Sequence, residues 1–273
     1  MGKDLHVDDK NSIKNTILVA LSLCLVSAIV VSVSAVALKP MRLANKALDR
    51  NKNILIAAGL FEKDVTEETK IDELIGKFEI RLVDLVGDKL LTVEEVAALG
   101  IDPTNYNQRR AAKNTSMSDA LTNKQDIASI SRRAQYSVVY LLKEGDEIKT
   151  IVLPIHGYGL WSTLYGFIAL EKDFNTVSGI TFYEHQETAG LGGEVDNAQW
   201  KASWVGKRIY APGGSVALRV IKGTVNPASR DAMHQIDGLS GASLTSRGVQ
   251  NLIAFWLGHD GFGPALDNLK KRG

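Results

Sequence analysis

From Asp237 to Ser246 the chain reads Asp-Gly-Leu-Ser-Gly-Ala-Ser-Leu-Thr-Ser, four hydroxyl side chains and two glycines in ten residues. Directly after it, Val249, Leu252, Ile253 and Trp256 recur at helical spacing, which predicts a helix from about residue 247 to 257. A helix entrance carries backbone N–H groups without helical partners and the positive end of the aligned peptide dipoles, so such a segment suits an anion. Gly241 and Ala242 let the backbone approach a bulky group, and Arg247 adds a full positive charge. A serine here is also a nucleophile, and a membrane-anchored serine hydrolase using Ser240 or Ser243 is one reading, although the Gly-x-Ser-x-Gly elbow is missing. The plainer alternative makes Thr245 or Ser246 an N-cap and the glycines turn residues. All four hydroxyls lie near the same entrance, and physical reasoning alone does not choose among them.

Two other runs bear on a binding site. Glu187-Thr188-Ala189-Gly190-Leu191-Gly192-Gly193 is a glycine-rich loop after a strand-like segment, with neither the Walker A nor the dinucleotide spacing; alone it reads as a turn. Gly159-Leu160-Trp161-Ser162 interrupts two further strand-like segments. His156, His185, His234 and His259 are scattered among different elements, so no metal site is expected. The one cysteine, Cys24, sits in the most apolar stretch, which excludes an intrachain disulfide and a thiolate cluster. Lysine and arginine number 32 against 31 acidic residues, leaving no global field to hold nucleic acid, and no such partner is expected.

The elements that must position these residues begin with an anchor. Between Lys14 and Lys39 lie 24 uncharged residues. At a rise of ~1.5 Å per residue they make a helix of roughly 36 Å, enough to cross a hydrocarbon core of ~30 Å. One transmembrane helix over 15–38 is expected, after a tail at 1–14, with membrane lipid as its surroundings. Ala35-Val36-Ala37 resembles a signal-peptide cleavage site. The apolar run, however, exceeds the ~7–15 residues of an h-region, and the preceding segment is charge-mixed. Lys3, Lys10 and Lys14 precede the span while Lys39, Arg42, Lys46, Arg50 and Lys52 follow it, so flanking charge alone leans toward a cytoplasmic soluble part.

A stalk helix is expected over 39–60, ending near Gly59, followed by a soluble domain over 61–273. Within it the pattern predicts a short helix at 72–78, an alternating strand at 80–85, and a polar, mainly helical excursion at about 92–133. Strands follow at 136–142, 149–155, 164–171 and 177–183, with charged or glycine-bearing turns and no helices between them, so they pair antiparallel. A last strand is expected at 216–222. The fold class is α+β: one N-terminal transmembrane helix, then a soluble domain with a curved antiparallel sheet and packed helices.

The run Asp237-Gly-x-Ser-Gly-Ala-Ser243 resembles the flavinylation motif of the FMN-binding domain family. Arg81-Leu82-Val83-Asp84, Asn105-Tyr106-Asn107-Gln108-Arg109, Leu153-Pro154-Ile155-His156-Gly157, the 159–162 and 187–194 runs, and Phe255-Trp256-Leu257-Gly258 are similar, in order, to the C subunits of the bacterial sodium-translocating NADH:quinone oxidoreductases. That resemblance implies covalent FMN, joined by a phosphoester to Ser243 and placed there by a flavin transferase. The family usually has threonine at this position; serine offers the same oxygen without the methyl group. It further implies that Asp237, Ser240, Gly241, Ala242 and Thr245 shape the attachment site. Gly159, Leu160, Trp161, Ser162, Glu187, Thr188, Gly190, Leu191 and Gly192 would close over the flavin.

The resemblance also implies an electron relay between an iron centre and a flavin in neighbouring subunits of a complex in the bacterial inner membrane, with the soluble domain in the periplasm. Outer-sphere electron transfer needs no general acid or base, so no catalytic side chain is expected and no independent turnover by this chain alone. Rival readings are a component of a related ferredoxin-oxidising electron-transport complex and a flavin-free membrane scaffold.

Overall fold

The computed structural model describes residues 13–61 and 70–271; most of the expected N-terminal tail lies outside them. The chain divides into two compact units, residues 1–48 and 49–273. In the first, α1 (Ile13–Ala37) has every residue exposed and one charge, Lys14 at its start. By length and composition it can cross a membrane. Pro40 has no N–H to donate to the preceding turn, and the helix breaks for a single residue at Leu38 before α2 (Lys39–Ala57) begins.

The second unit is built on a six-stranded sheet. Its strands are β1 (Phe78–Asp84), β2 (Lys89–Leu90), β5 (Tyr136–Glu144), β6 (Glu147–Tyr158), β7 (Thr163–Glu171) and β8 (Val177–Glu184). They lie in the order β2-β1-β5-β6-β7-β8, and a short helix, α3 (Ile71–Ile75), leads into the first of them. All neighbours are antiparallel, and the consecutive strands β5 to β8 are joined by short turns that allow no other pairing. β6 and β7 pair from Thr150↔Glu171 to Tyr158↔Thr163, so their hairpin delivers residues 159–162 to one end of the sheet. The expected α+β class with an antiparallel sheet is the observed one.

Strand side chains alternate between two faces. Val139, Leu141, Ile151, Leu153, Ile155, Leu164, Ile168 and Ile180 form one core with Val249, Leu252, Ile253 and Trp256 of α7 (Ser243–Trp256). On the other face Tyr140, Phe167 and Tyr183 pack ring to ring. The buried end of α2 docks through Asn53, which accepts a 2.5 Å hydrogen bond from the Thr181 hydroxyl.

Three segments depart from the expectations above. Residues 92–133 are not mainly helical. They hold two short helices, α4 (Val93–Leu99) and α5 (Gln108–Lys113), and a small pair of strands, β3 (Ser118–Ala120) with β4 (Arg132–Ala134), joined by turns. The cause is side-chain competition for the backbone: Asp102, Asn114 and Asp126 each accept main-chain N–H groups that a longer helix would need. The expected strand at 216–222 reduces to β9 (Arg219–Val220), paired parallel with β10 (Gln235–Ile236). Gln250 on α7 takes the Val220 N–H at 2.6 Å and donates to the Leu218 carbonyl, replacing a neighbouring strand. Third, α7 starts at Ser243, four residues before the expected helix start, because Ala242 occupies the N-cap without any side-chain cap for sequence to reveal.

Candidate functional site

Three segments meet at the start of α7: its own first turn, the β6–β7 hairpin tip at 159–162, and the loop after β8 at 187–193. The sequence brings them together through two close approaches. An added Cβ at Gly192 would lie 2.5 Å from Thr245 Oγ1 and 2.7 Å from Glu187 Oε2. One at Gly248 would lie 2.5 Å from the Tyr158 carbonyl oxygen. Glycine lets the 192 backbone approach the Thr245 and Glu187 side chains and lets α7 approach the end of β6 backbone to backbone.

The four hydroxyls separate into two kinds. Thr245 is buried and donates a 2.6 Å hydrogen bond to Glu187 Oε2. Ser246 is buried and its Oγ accepts the Leu239 N–H at 3.0 Å. Ser240 is exposed but precedes Gly241, which turns the chain at φ +69°. Ser243 is exposed on the first residue of α7. The helical ladder begins with Ser246 N to Ala242 O, so the N–H groups of Ser243, Leu244 and Thr245 stand ahead of it. Arg247, one turn along, is exposed.

Glu187 joins all three segments. Its Oε1 accepts the N–H groups of Leu160 and Trp161, each at 3.0 Å, and its Oε2 accepts the Thr245 hydroxyl. Burial is the largest single influence on this carboxyl and pulls its pKa upward, but the hydrogen bonds from Thr245, Trp161 and Leu160 together outweigh it and hold the group below the usual carboxylate range. Ser162 Oγ accepts the Gln186 N–H at 2.8 Å, a second tie between the two loops. Gly159 closes the hairpin tip by donating to the Ser162 carbonyl at 2.8 Å. Thr188 contributes its carbonyl, which accepts from Leu191 and Gly193, while its side chain faces solvent. Gly190 sits at φ +75° on the outside of the same turn.

Asp237 lies at the other end of the motif, where its Oδ1 accepts the Val225 N–H at 2.7 Å and its carbonyl accepts the Trp200 indole N–H at 2.9 Å. It braces the approach to α7. Sequence reasoning missed Leu244, 50% exposed in the first turn of α7, and Tyr158, 46% exposed at the end of β6 just before the hairpin tip that carries Leu160 and Trp161. The available signal for Leu244 was an apolar residue directly after Ser243, facing no helix stripe. Large apolar side chains left in water on segments tied together at the start of α7 offer a surface that a flat ring can cover. The hydroxyl, the free helix N–H groups and this apolar surround therefore fit FMN. A cavity of about 400 Å³ lined by Phe174, Tyr210, Leu266, Arg208, His234 and Lys270 shares no residue with these loops.

The FMN-binding domain family matches residues 159–258, a stretch that holds all three site segments. The C subunit of the Na+-translocating NADH-quinone reductase of Pseudomonas aeruginosa is 48% identical over 96% of this chain and 98% of its own length. The chain belongs to this C-subunit family. The corresponding protein of Vibrio parahaemolyticus is 45% identical over 97% of the chain and 98% of its own length. Among solved structures, NqrC of Shewanella oneidensis superposes with a TM-score of 0.71 at 31% identity, covering 83% of this chain and 99% of that one. Membership makes the chain a membrane-associated component of an oxidoreductase complex with an FMN-binding domain, and the one N-terminal apolar helix among the described residues accords with that.

Proposed function

We propose that this chain carries FMN as a phosphoester on Ser243 and passes electrons between an iron centre and a flavin in neighbouring subunits of the sodium-translocating complex. One observation carries the attachment: of the four hydroxyls, Thr245 and Ser246 are buried in hydrogen bonds, and Ser243 is the one exposed on the first helical residue. A flavin transferase using FAD as donor supplies the group. The Ser243 Oγ–phosphorus bond forms as the FAD pyrophosphate bond breaks, AMP leaves, and the hydroxyl proton passes to solvent. The resulting phosphodiester bears about one negative charge, which the free N–H groups and the dipole of α7 favour. Leu160, Trp161 and Leu191 supply apolar cover for the ring, with Gly159, Ser162, Thr188, Gly190 and Gly192 shaping the loops that hold them. Ser240 and Gly241 form the exposed approach to the hydroxyl, and buried Ala242 seats the start of α7 on the core. FMN brings the redox chemistry; the chain's part is to anchor and orient it.

In this reading α1 crosses the bacterial inner membrane and the domain after it faces the periplasm, since long domains translocate despite flanking charge. Mass spectrometry of the Ser243 peptide tests the attachment. An FMN adduct on that peptide, lost together with in-gel flavin fluorescence in Ser243→Ala, is the expected result. A fluorescent Ser243→Ala band, or an adduct on Thr245, would overturn it, and a colourless native protein would favour the flavin-free scaffold.

A further inference from the structure

We infer that Glu187 is the positioning residue of the site: its carboxylate sets the 159–162 loop against the first turn of α7 before any flavin arrives, and its charge then acts on the flavin. The inference rests on the reading of Ser243 as the attachment point. Three protein donors converge on this side chain, the N–H groups of Leu160 and Trp161 at 3.0 Å each and the Thr245 hydroxyl at 2.6 Å. With only 8% of the residue exposed, Glu187 is closed off from a ligand, in contrast to the cofactor contact that the family resemblance implies for it. Leu160 and Trp161 lie between β6 and β7, where no strand partner takes their N–H groups; Glu187 does instead. Those two residues also carry exposed apolar side chains on the loop that Glu187 ties to the first turn of α7, so fixing their backbone fixes the surface that loop offers to a ring. Thr245 ties the same carboxylate to α7 two residues after Ser243. A negative charge buried beside a redox group opposes the arrival of an electron, because Coulomb energies are large where water is excluded.

The test uses the full chain in detergent, prepared without the transferase and then exposed to transferase and FAD. In flavin-free protein, Glu187→Ala should speed amide hydrogen exchange at Leu160 and Trp161 at least tenfold and cut the yield of fluorescent product several-fold. Glu187→Gln keeps an oxygen for both N–H groups, so exchange and yield should return toward wild type while the flavin midpoint potential moves positive. Wild-type exchange rates in Glu187→Ala would overturn the inference, as would an unchanged potential in Glu187→Gln. Should Glu187→Ala fail to fold, the Glu187→Gln potential decides alone. Ser243→Ala runs alongside: fluorescence persisting there sinks the attachment reading, while the exchange measurement on flavin-free protein still judges Glu187.

Discussion

Thr245→Val separates the structural hydroxyls from the one proposed to react. Valine matches threonine in shape, so the substitution removes a donor and leaves the packing of α7 in place. The lost bond is 2.6 Å long, lies in a buried pair, and ends on a carboxylate held ionised by its donors. Hydrogen bonds to charged groups contribute roughly 1.5–3 kcal/mol, and the orphaned oxygen cannot recover its partner from solvent. For a domain of roughly 150–250 residues each kcal/mol moves Tm by about 2–4 °C, so a fall of about 3–12 °C is expected. Ser243→Ala, at an exposed position, should change stability by no more than about 0.5 kcal/mol. The assay is thermal unfolding of the flavin-free chain by circular dichroism, with in-gel fluorescence after incubation with transferase. Thr245→Val should be less stable yet still take flavin; Ser243→Ala should be as stable as wild type and take none. Equal melting temperatures for Thr245→Val and wild type, or a large loss in Ser243→Ala, would refute the division of the hydroxyls.

His156, packed between the rings of Tyr165 and Trp256, has its pKa pushed down to about 3, chiefly by burial and then by the Arg109 charge. It is neutral when folded but takes a proton below about pH 6.5 when unfolded. Its contribution is therefore whole above that value and lost as pH falls toward 3; between pH 7 and 5 the loss is about 2 kcal/mol. His156→Phe should shrink the fall in chemical-denaturation stability between those two pH values, and an unchanged difference would count against the buried neutral ring. Gly192→Ala places a Cβ 2.5 Å from Thr245 Oγ1 and 2.7 Å from Glu187 Oε2. It should destabilise the domain by about 1–3 kcal/mol and alter the flavin spectrum while leaving the ester in place; an unperturbed melt and spectrum would show that the loop relaxes freely. Protease added to intact spheroplasts should digest the domain after α1, and full protection would reverse the proposed topology.

Much of this arrangement was legible from residue types. The four consecutive strands β5 to β8 announce themselves as β-branched runs between charged turns, and the run from 237 to 246 marks itself by its hydroxyls and glycines. The start of α7 was not legible, because its N-cap is Ala242, a residue without a capping side chain. Nor was the division among hydroxyls, which depends on Glu187, 58 residues before Thr245. No local pattern encodes a bond of that span. Residues 92–133 misled for a different reason: their polar composition suits a solvated helix as well as it suits turns, and the Asx side chains decide for turns.

Gly248 has a mechanical consequence. Its bare α-carbon faces the Tyr158 carbonyl, so α7 rests directly on the end of β6 with no side chain between them. A helix seated this closely cannot roll about its axis. Side-chain atoms ride about 5 Å from a helix axis, so a 20° roll would swing the Ser243 oxygen through an arc of about 2 Å. Whatever hangs from that oxygen is aimed by a contact on the far side of the helix, and a bulkier residue at 248 would turn the bearing of the cargo without touching it.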